Sequence, residues 1–470
     1  MIPHTSCSSI LGRLSAAHQD PTGRRRSRVA VAASVVVLGL AVPAAADARG
    51  HDDDRRGGPA AATTDRGPGN PGGGVERGRG HGEPGHGGHG PGKPGHGGHG
   101  HGGRGWERSA PDFGSAKNRA VYAHRGASGY RPEHTLEAYR LAIKQGADVI
   151  EPDLVSTKDG QLVDRHENEI GGTTDVATRP EFADRKTTKT VDGVAYTGWF
   201  TEDFTLAELR TLRAKERIPA LRPQNVAYDG KFEIPTLQEV VDLARKASRS
   251  TRRTIAIAPE IKHSTYFRSV GIDQESALLR TLRKNRLDHR RAPVIVQSFE
   301  VANLQRIRRE SKVPTVQLLD AAKNRPADVV AAGGTTTYGD LATPAGLKGI
   351  ARYATAVSPN TDFVIPRDAT TGASLAPTSF VQDAHAAGLP VVVYTFRREN
   401  SFLPLERRSS TDPAGIGDLQ GYMTRMLQLG VDGLFTDNPD VGVAAVRAFE
   451  QRGGPRKDGV ARPAKVPAKR

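Results

Sequence analysis

The residues of this chain that could do chemistry stand where apolar runs stop. In "VYAHRGASGYRPEHT" (121–135) the run breaks off on His124, Arg125 and Gly126 in direct succession. "DVIEPDL" (148–154) carries Glu151 and Asp153, and "TIAIAPEI" (254–261) carries Glu260 with Lys262 just beyond it. Residues i and i+2 of an extended strand share a face. Glu151 therefore faces the same way as Asp153, and Glu260 the same way as Lys262. His166 follows in "GQLVDRHENE" (160–169).

Three carboxylates with no cysteine nearby suit a hard divalent cation, Mg²⁺ or Ca²⁺, better than zinc. An imidazole with an ordinary pKa of about 6.5 gives and takes protons near neutrality, so His124 and His166 suit acid–base work. Arg125 and Lys262 put positive charge where an anionic transition state would develop. Cation, basic residues and a histidine pair together describe phosphoryl transfer or phosphodiester cleavage.

These residues need a scaffold that brings distant strand ends together. Apolar runs at 120–123, 148–154, 254–261, 293–298, 315–319, 354–359, 390–395 and 433–436 alternate with helical patterns at 135–146, 236–247, 275–285, 302–310 and 418–430. In the first helix Leu136, Tyr139 and Ile143 fall on one face, and Gly146 closes it. Strands alternating with helices imply parallel βαβ units, and eight strands close a TIM-type (β/α)8 barrel. An open doubly wound sheet is the alternative, but no G-x-G-x-x-G follows a strand. Barrel catalytic groups come from the C-terminal strand ends, where His124, Arg125, Glu151, Asp153, Glu260 and Lys262 fall, with His166 following in the next connection. The connection from about 168 to 235, after the second strand, is long for such a scheme and reads as an insertion on the catalytic face. It carries Trp199, Phe200, Phe204 and a helical pattern at 205–215.

The stretch "HRGASGYRPEHTLEAYRLAIKQGADVIEPDLVSTKDGQLVDRHENE" resembles the glycerophosphodiester phosphodiesterase family, in its periplasmic, secreted bacterial type. "PEIK", "VQSF", "VQLL", "VVYTFR" and "GLFTDNPD" extend the resemblance over about 118–449. The resemblance implies hydrolysis of glycerophosphodiesters, such as glycerophosphocholine, to sn-glycerol 3-phosphate and an alcohol. It makes His124 and His166 the acid–base pair and Glu151, Asp153 and Glu260 the ligands of a divalent metal, Ca²⁺ or Mg²⁺. Arg125 and Lys262 would bind the phosphate. Two positions depart from the pattern. Glu167 replaces the aspartate expected after the second histidine, and Tyr394-Thr395-Phe396-Arg397 replaces a Trp-Thr-x-Asn motif on the alcohol side.

Single side chains carry less. Glu133 reads equally as support for the phosphate site or as a helix cap, His134 as a helix-start residue, and Asp437 as a site residue or a turn former in "TDNPD". His263 and His385 have no argument beyond their type.

The remaining chain bounds the biology. Residues 1–46 read as a signal peptide: an arginine-rich n-region, the short apolar run "VAVAASVVVLGLAV" and a small-residue site at 44–46. The arginine run hints at the twin-arginine route, and export follows as the expectation. Residues 47–117 are Gly, His and Pro rich and read as a disordered linker, and 450–470 as a basic disordered tail. The lone cysteine, Cys7, precedes the apolar run, so the exported chain would have no disulfide or thiolate nucleophile. The net charge of +15 favours anionic partners, with the tail as a contact to a cell-wall or lipid surface; no nucleic acid is expected. Two other readings fit the sequence. One is a phospholipase or teichoic-acid-type hydrolase on the same barrel, favoured if Trp199–Phe204 is exposed. The other is a non-catalytic wall- or metal-binding protein working through the Gly/His tract.

Overall fold

The computed structural model describes Trp106 and residues 119–453. The expected signal peptide, most of the linker and the tail from residue 454 lie outside the described residues. No helix among the described residues is long and apolar enough to cross a membrane.

Among the described residues thirteen strands form in chain order. They are β1 (Ala120–Ala123), β2 (Val149–Ile150), β3 (Asp153–Ser156), β4 (Leu162–Asp164), β5 (Thr187–Val191), β6 (Val194–Gly198) and β7 (Ala256–Ile257). β8 (Glu260–Ile261), β9 (Val296–Ser298), β10 (Thr315–Leu319), β11 (Ala356–Pro359), β12 (Val392–Phe396) and β13 (Gly433–Thr436) follow. Each of the second and third expected strands is one run broken by a proline, at Pro152 and Pro259, because proline cannot donate to the ladder.

Parallel pairing runs from β12 through β13, β1 and β2 to β7, and from β3 through β8, β9 and β10 to β11. Isolated parallel bridges join Ile257 to Val294, Val357 to Val391 and Asn360 to Tyr394. With β2–β3 and β7–β8 counted as single runs, these pairings close a ring of eight parallel strand positions, the expected barrel. β4 was not anticipated; it pairs antiparallel with β3.

Alternation along the strands sets which residues face the barrel axis. Ala120, Tyr122, Val149, Ala256, Ala258, Ile295, Val316, Leu318 and Phe435 pack together inside the barrel. Val121, Ala123, Ile150 and Ile257 belong instead to the outer clusters packed under the helices. Extending the inward set by steps of two reaches His124, Glu151, Asp153, Glu260, Lys262 and Gln297. The same period that fills the core therefore delivers the polar residues to the barrel mouth.

The insertion folds with its own apolar cluster. Val176, Phe182, Trp199, Phe200, Phe204, Leu209 and Leu212 pack on Val155 and Val163 of the barrel and on Tyr266 and Phe267. The β5–β6 hairpin lies within this segment, and only Leu206–Leu209 of the expected helix forms, capped by Thr205 and Glu208. Trp199, Phe200 and Phe204 are buried, whereas Val194, Tyr196 and Val226 of the same insertion are exposed. Trp106, inside the stretch read as linker, is also buried; its indole N–H donates to the Ile255 carbonyl at 3.0 Å.

Candidate active site

The His-Arg-Gly turn after β1 is built for close approach. Arg125 has φ 59° and Gly126 φ 89°. A Cβ at Gly126 would meet Ala138 Cβ at 2.7 Å, so only glycine lets the turn sit on the first helix. That helix, Leu136–Gln145, is capped by Thr135, whose side chain accepts from the Ala138 N–H. The left-handed backbone at Arg125 aims its N–H at Glu151 Oε2, 3.0 Å away.

Both histidines are held at Nδ1 by a carboxylate. His124 Nδ1 lies 2.6 Å from Asp437 Oδ1, and His166 Nδ1 contacts Glu167 Oε1. Each bond leaves the Nε2 atom for substrate. Burial lowers the His124 pKa to about 4, against the raising effect of Asp437. Burial, with Arg125 nearby, lowers that of His166 to about 3, against Glu167. In the free enzyme both rings are neutral near pH 7. A bound phosphodiester adds negative charge, which favours the imidazolium.

The three carboxylates converge as their strand positions require. Ligand oxygens of Glu151, Asp153 and Glu260 lie within 4.8 Å of one another, all buried. Burial and the mutual charge of Asp153 and Glu260 push Glu151 well above the usual carboxylate range. Burial likewise raises Glu260, to about 8. Burial would raise Asp153 too, but Lys262 and His134 hold it well below that range. Asp153 Oδ1 is buried with no hydrogen-bond partner. An unpartnered carboxylate oxygen beside two further carboxylates is an arrangement a hard cation satisfies. The residues fit a divalent metal.

Gln297 Nε2 donates to Glu151 Oε1 at 2.7 Å. Lys262 Nζ is 2.6 Å from Glu260 Oε1 and 3.8 Å from Asp153 Oδ2. Arg125 Nη1 donates to Glu133 Oε2 at 3.0 Å.

Of the seven candidate residues, His124, Arg125, Glu151, His166, Glu260 and Lys262 line one cavity of about 380 Å³. Asp153 sits behind it, covered by His134, Arg125 and Lys262. The far wall holds Phe299, Tyr394, Phe402, Asp362, Arg367 and Arg397.

Several neighbours play parts that the sequence reading left open or missed. His134 is fully buried, with Nε2 2.9 Å from Asp153 Oδ2 and Nδ1 2.9 Å from the Tyr139 hydroxyl. It steadies the acidic trio, while Thr135 starts the helix. Glu133 pairs with Arg125 and Arg217 and caps nothing. Asp437 is a site residue, not a turn former alone. His263 pairs with Asp192, and His385 with Asp432. Arg217, Arg222 and Gln297 were missed. For Gln297 the signal existed, since it falls two residues beyond inward-facing Ile295.

An α/β barrel with an acidic trio, two carboxylate-held histidines and basic side chains at the C-terminal strand ends defines a class: barrel hydrolases of phosphodiesters. Comparison with known proteins then gives the family. The sequence model of the glycerophosphoryl diester phosphodiesterase family matches residues 124–441, and this chain belongs to that family. A glycerophosphodiester phosphodiesterase of Arabidopsis thaliana is 38% identical over 327 residues, covering 67% of this chain and 82% of its own. One from Haemophilus influenzae is 28% identical, covering 71% of this chain and 91% of its own. The crystal structure of an Oleispira antarctica phosphodiesterase, in complex with the product sn-glycerol-3-phosphate, is similar at 19% identity and a TM-score of 0.45. It covers 70% of this chain and 97% of that one. The chain is a glycerophosphodiester phosphodiesterase.

Proposed function

We propose that this enzyme is exported and hydrolyses small glycerophosphodiesters, such as glycerophosphocholine or glycerophosphoethanolamine, to sn-glycerol 3-phosphate and an alcohol. The observation that carries the reading is the gathering of His124, His166, Arg125, Lys262, Glu151 and Glu260 around one cavity. Glu151, Asp153 and Glu260 would hold a divalent cation, Ca²⁺ or Mg²⁺, which when bound supplies charge stabilisation to the phosphoryl oxygens.

Arg125 and Lys262 hold the phosphate in register. One histidine, through Nε2, takes the proton of the attacking hydroxyl or water, and the other, protonated from solvent as the anionic substrate binds, gives its Nε2 proton to the leaving alkoxide. Each imidazolium forms opposite a carboxylate, Asp437 or Glu167, which lowers its energy. Export is supported by the basic and apolar pattern of residues 24–46.

The test is hydrolysis of glycerophosphocholine by the purified enzyme, with and without chelator, beside His124→Ala. Undiminished turnover in chelator refutes the metal, and an active His124→Ala refutes the acid–base assignment.

A further inference from the structure

The insertion contributes no lining residue to the cavity described above. It sends two arginines, Arg217 and Arg222, down to the carboxylates that hold the histidines. Arg217 grips Glu167 with both ends of its fork, Nη1 to Oε1 at 3.0 Å and Nη2 to Oε2 at 2.6 Å. Glu167 in turn holds His166 Nδ1. The same guanidinium binds Glu133, Nε to Oε2 at 2.9 Å and Nη2 to Oε1 at 2.6 Å, and Glu133 receives Arg125.

Arg222 does the corresponding work at the other histidine. Its Nη2 lies 2.6 Å from Asp437 Oδ2, its Nε 2.7 Å from Glu399 Oε1, and its Nη1 donates to the Ser128 carbonyl at 3.0 Å. Ser128 Oγ donates to the His124 carbonyl. Arg397 Nε takes Asp437 Oδ2 as well, at 2.9 Å. With two guanidiniums on Oδ2, Oδ1 is the atom left for His124.

We propose that Arg217 and Arg222 are positioning residues, each fixing the carboxylate that orients one catalytic histidine: Arg217 through Glu167 to His166, Arg222 through Asp437 to His124. The inference rests on the histidine pair proposed above. It also accounts for the departure at Glu167. A glutamate has one more rotatable bond than the aspartate of the family pattern, and a bidentate arginine removes that freedom. The turn bearing both arginines is itself braced: Glu216 accepts from the Ile218 N–H and from Asn225 Nδ2.

An ion pair that merely fastened the insertion would not need to end on a histidine's partner. Arg210 is such a fastener, paired with Glu233 and Glu239 away from the histidines, and it serves as the control. Arg217→Ala, Arg222→Ala and Arg210→Ala are compared by steady-state kinetics on glycerophosphocholine, thermal melting and nitrogen-15 histidine NMR. Arg222→Ala is expected to lower kcat about 10- to 100-fold with KM little changed, a share of the roughly 10²–10⁴-fold a positioned acid or base contributes. Arg217→Ala lowers kcat similarly and also raises KM, because Arg125 loses its anchored partner. Added guanidinium restores part of the rate in both, and Arg210→Ala keeps the full rate. In the spectra, Arg217→Ala moves the His166 Nδ1 signal and Arg222→Ala that of His124. Retained kcat in either variant, or both histidines shifting alike in each, overturns the proposal. If the unaltered enzyme fails to hydrolyse glycerophosphocholine while the two signals move selectively, the substrate reading fails and the positioning role stands.

Discussion

His124 and Asp437 are 313 positions apart in sequence, yet their Nδ1 and Oδ1 atoms sit 2.6 Å from each other. The pairing of the first and last barrel strands makes this so. β1 and β13 are parallel neighbours in register from Ala120 with Gly433 to Ala123 with Thr436, and the His124 N–H donates to the Thr436 carbonyl. The step that closes the barrel is the step that assembles the dyad.

Asp437→Asn should therefore lower kcat about 10²-fold or more, since the ring loses the anion facing its imidazolium. It also strips Arg222 and Arg397 of a shared buried partner, and breaking a buried pair costs about 3–5 kcal/mol. Kinetics and melting temperature read the two effects separately. A variant with an unaltered kcat would remove Asp437 from the site.

Ca²⁺ or Mg²⁺ should stabilise the fold by relieving the clustered charge of Glu151, Asp153 and Glu260. At about 100 times its dissociation constant, a ligand of the folded state adds about 2.7 kcal/mol. A rise in melting temperature on adding the ion, lost in Glu151→Gln, is the expected result. A melting curve indifferent to both ions and to chelator would contradict it.

Glu300 gives the fold a pH dependence independent of catalysis. Burial pushes its pKa up to about 7, although Thr265 donates to it. Because the folded value lies above the unfolded one, its contribution is fully present below about pH 4.3 and is lost as pH rises through 7. The difference is on the order of 3 kcal/mol at one pKa unit per 1.36 kcal/mol. Glu300→Gln should flatten the decline, so its denaturation midpoint gains on the parent between pH 5 and pH 8. Parallel profiles for the two proteins would sink the assignment.

Trp106 packs against the barrel's outer core. The Arg245 guanidinium lies 5.4 Å from its ring centroid. Replacing a buried tryptophan by alanine costs about 3–5 kcal/mol. Urea unfolding of Trp106→Ala should show a loss in this range, and a chain beginning at residue 118 should lose as much. An unchanged midpoint would mean that the contact does not form in solution.

Much of this architecture was legible because strands repeat every two residues. Inward Tyr122 predicts inward His124, and Val149 predicts Glu151, so the acidic trio, His124 and Lys262 followed from pattern, while Arg125 depends on the left-handed turn after β1. The prolines that split β2 from β3 and β7 from β8 were visible, but their effect on pairing depends on neighbouring strands. Arg217 and Arg222 were illegible for a different reason. They lie in turns without periodicity, and their partners are fixed by the insertion's own packing around Phe200 and Phe204. Asp437 was ambiguous because "TDNPD" has turn chemistry of its own, which masks a second role. His134 looked like a helix-start residue because the helix beginning beside it is the stronger local signal.

The insertion's arginines bear on how this enzyme can be altered. The acidic trio, His124 and Lys262 stand on or just beside the barrel strands, whereas His166 follows β4, outside that ring. Residues 168–235 add the guanidiniums that grip the carboxylates of both imidazoles, Glu167 and Asp437. The segment is thus a poor candidate for swapping between relatives, because a transplanted version must bring its own pair of guanidiniums to the same two carboxylates.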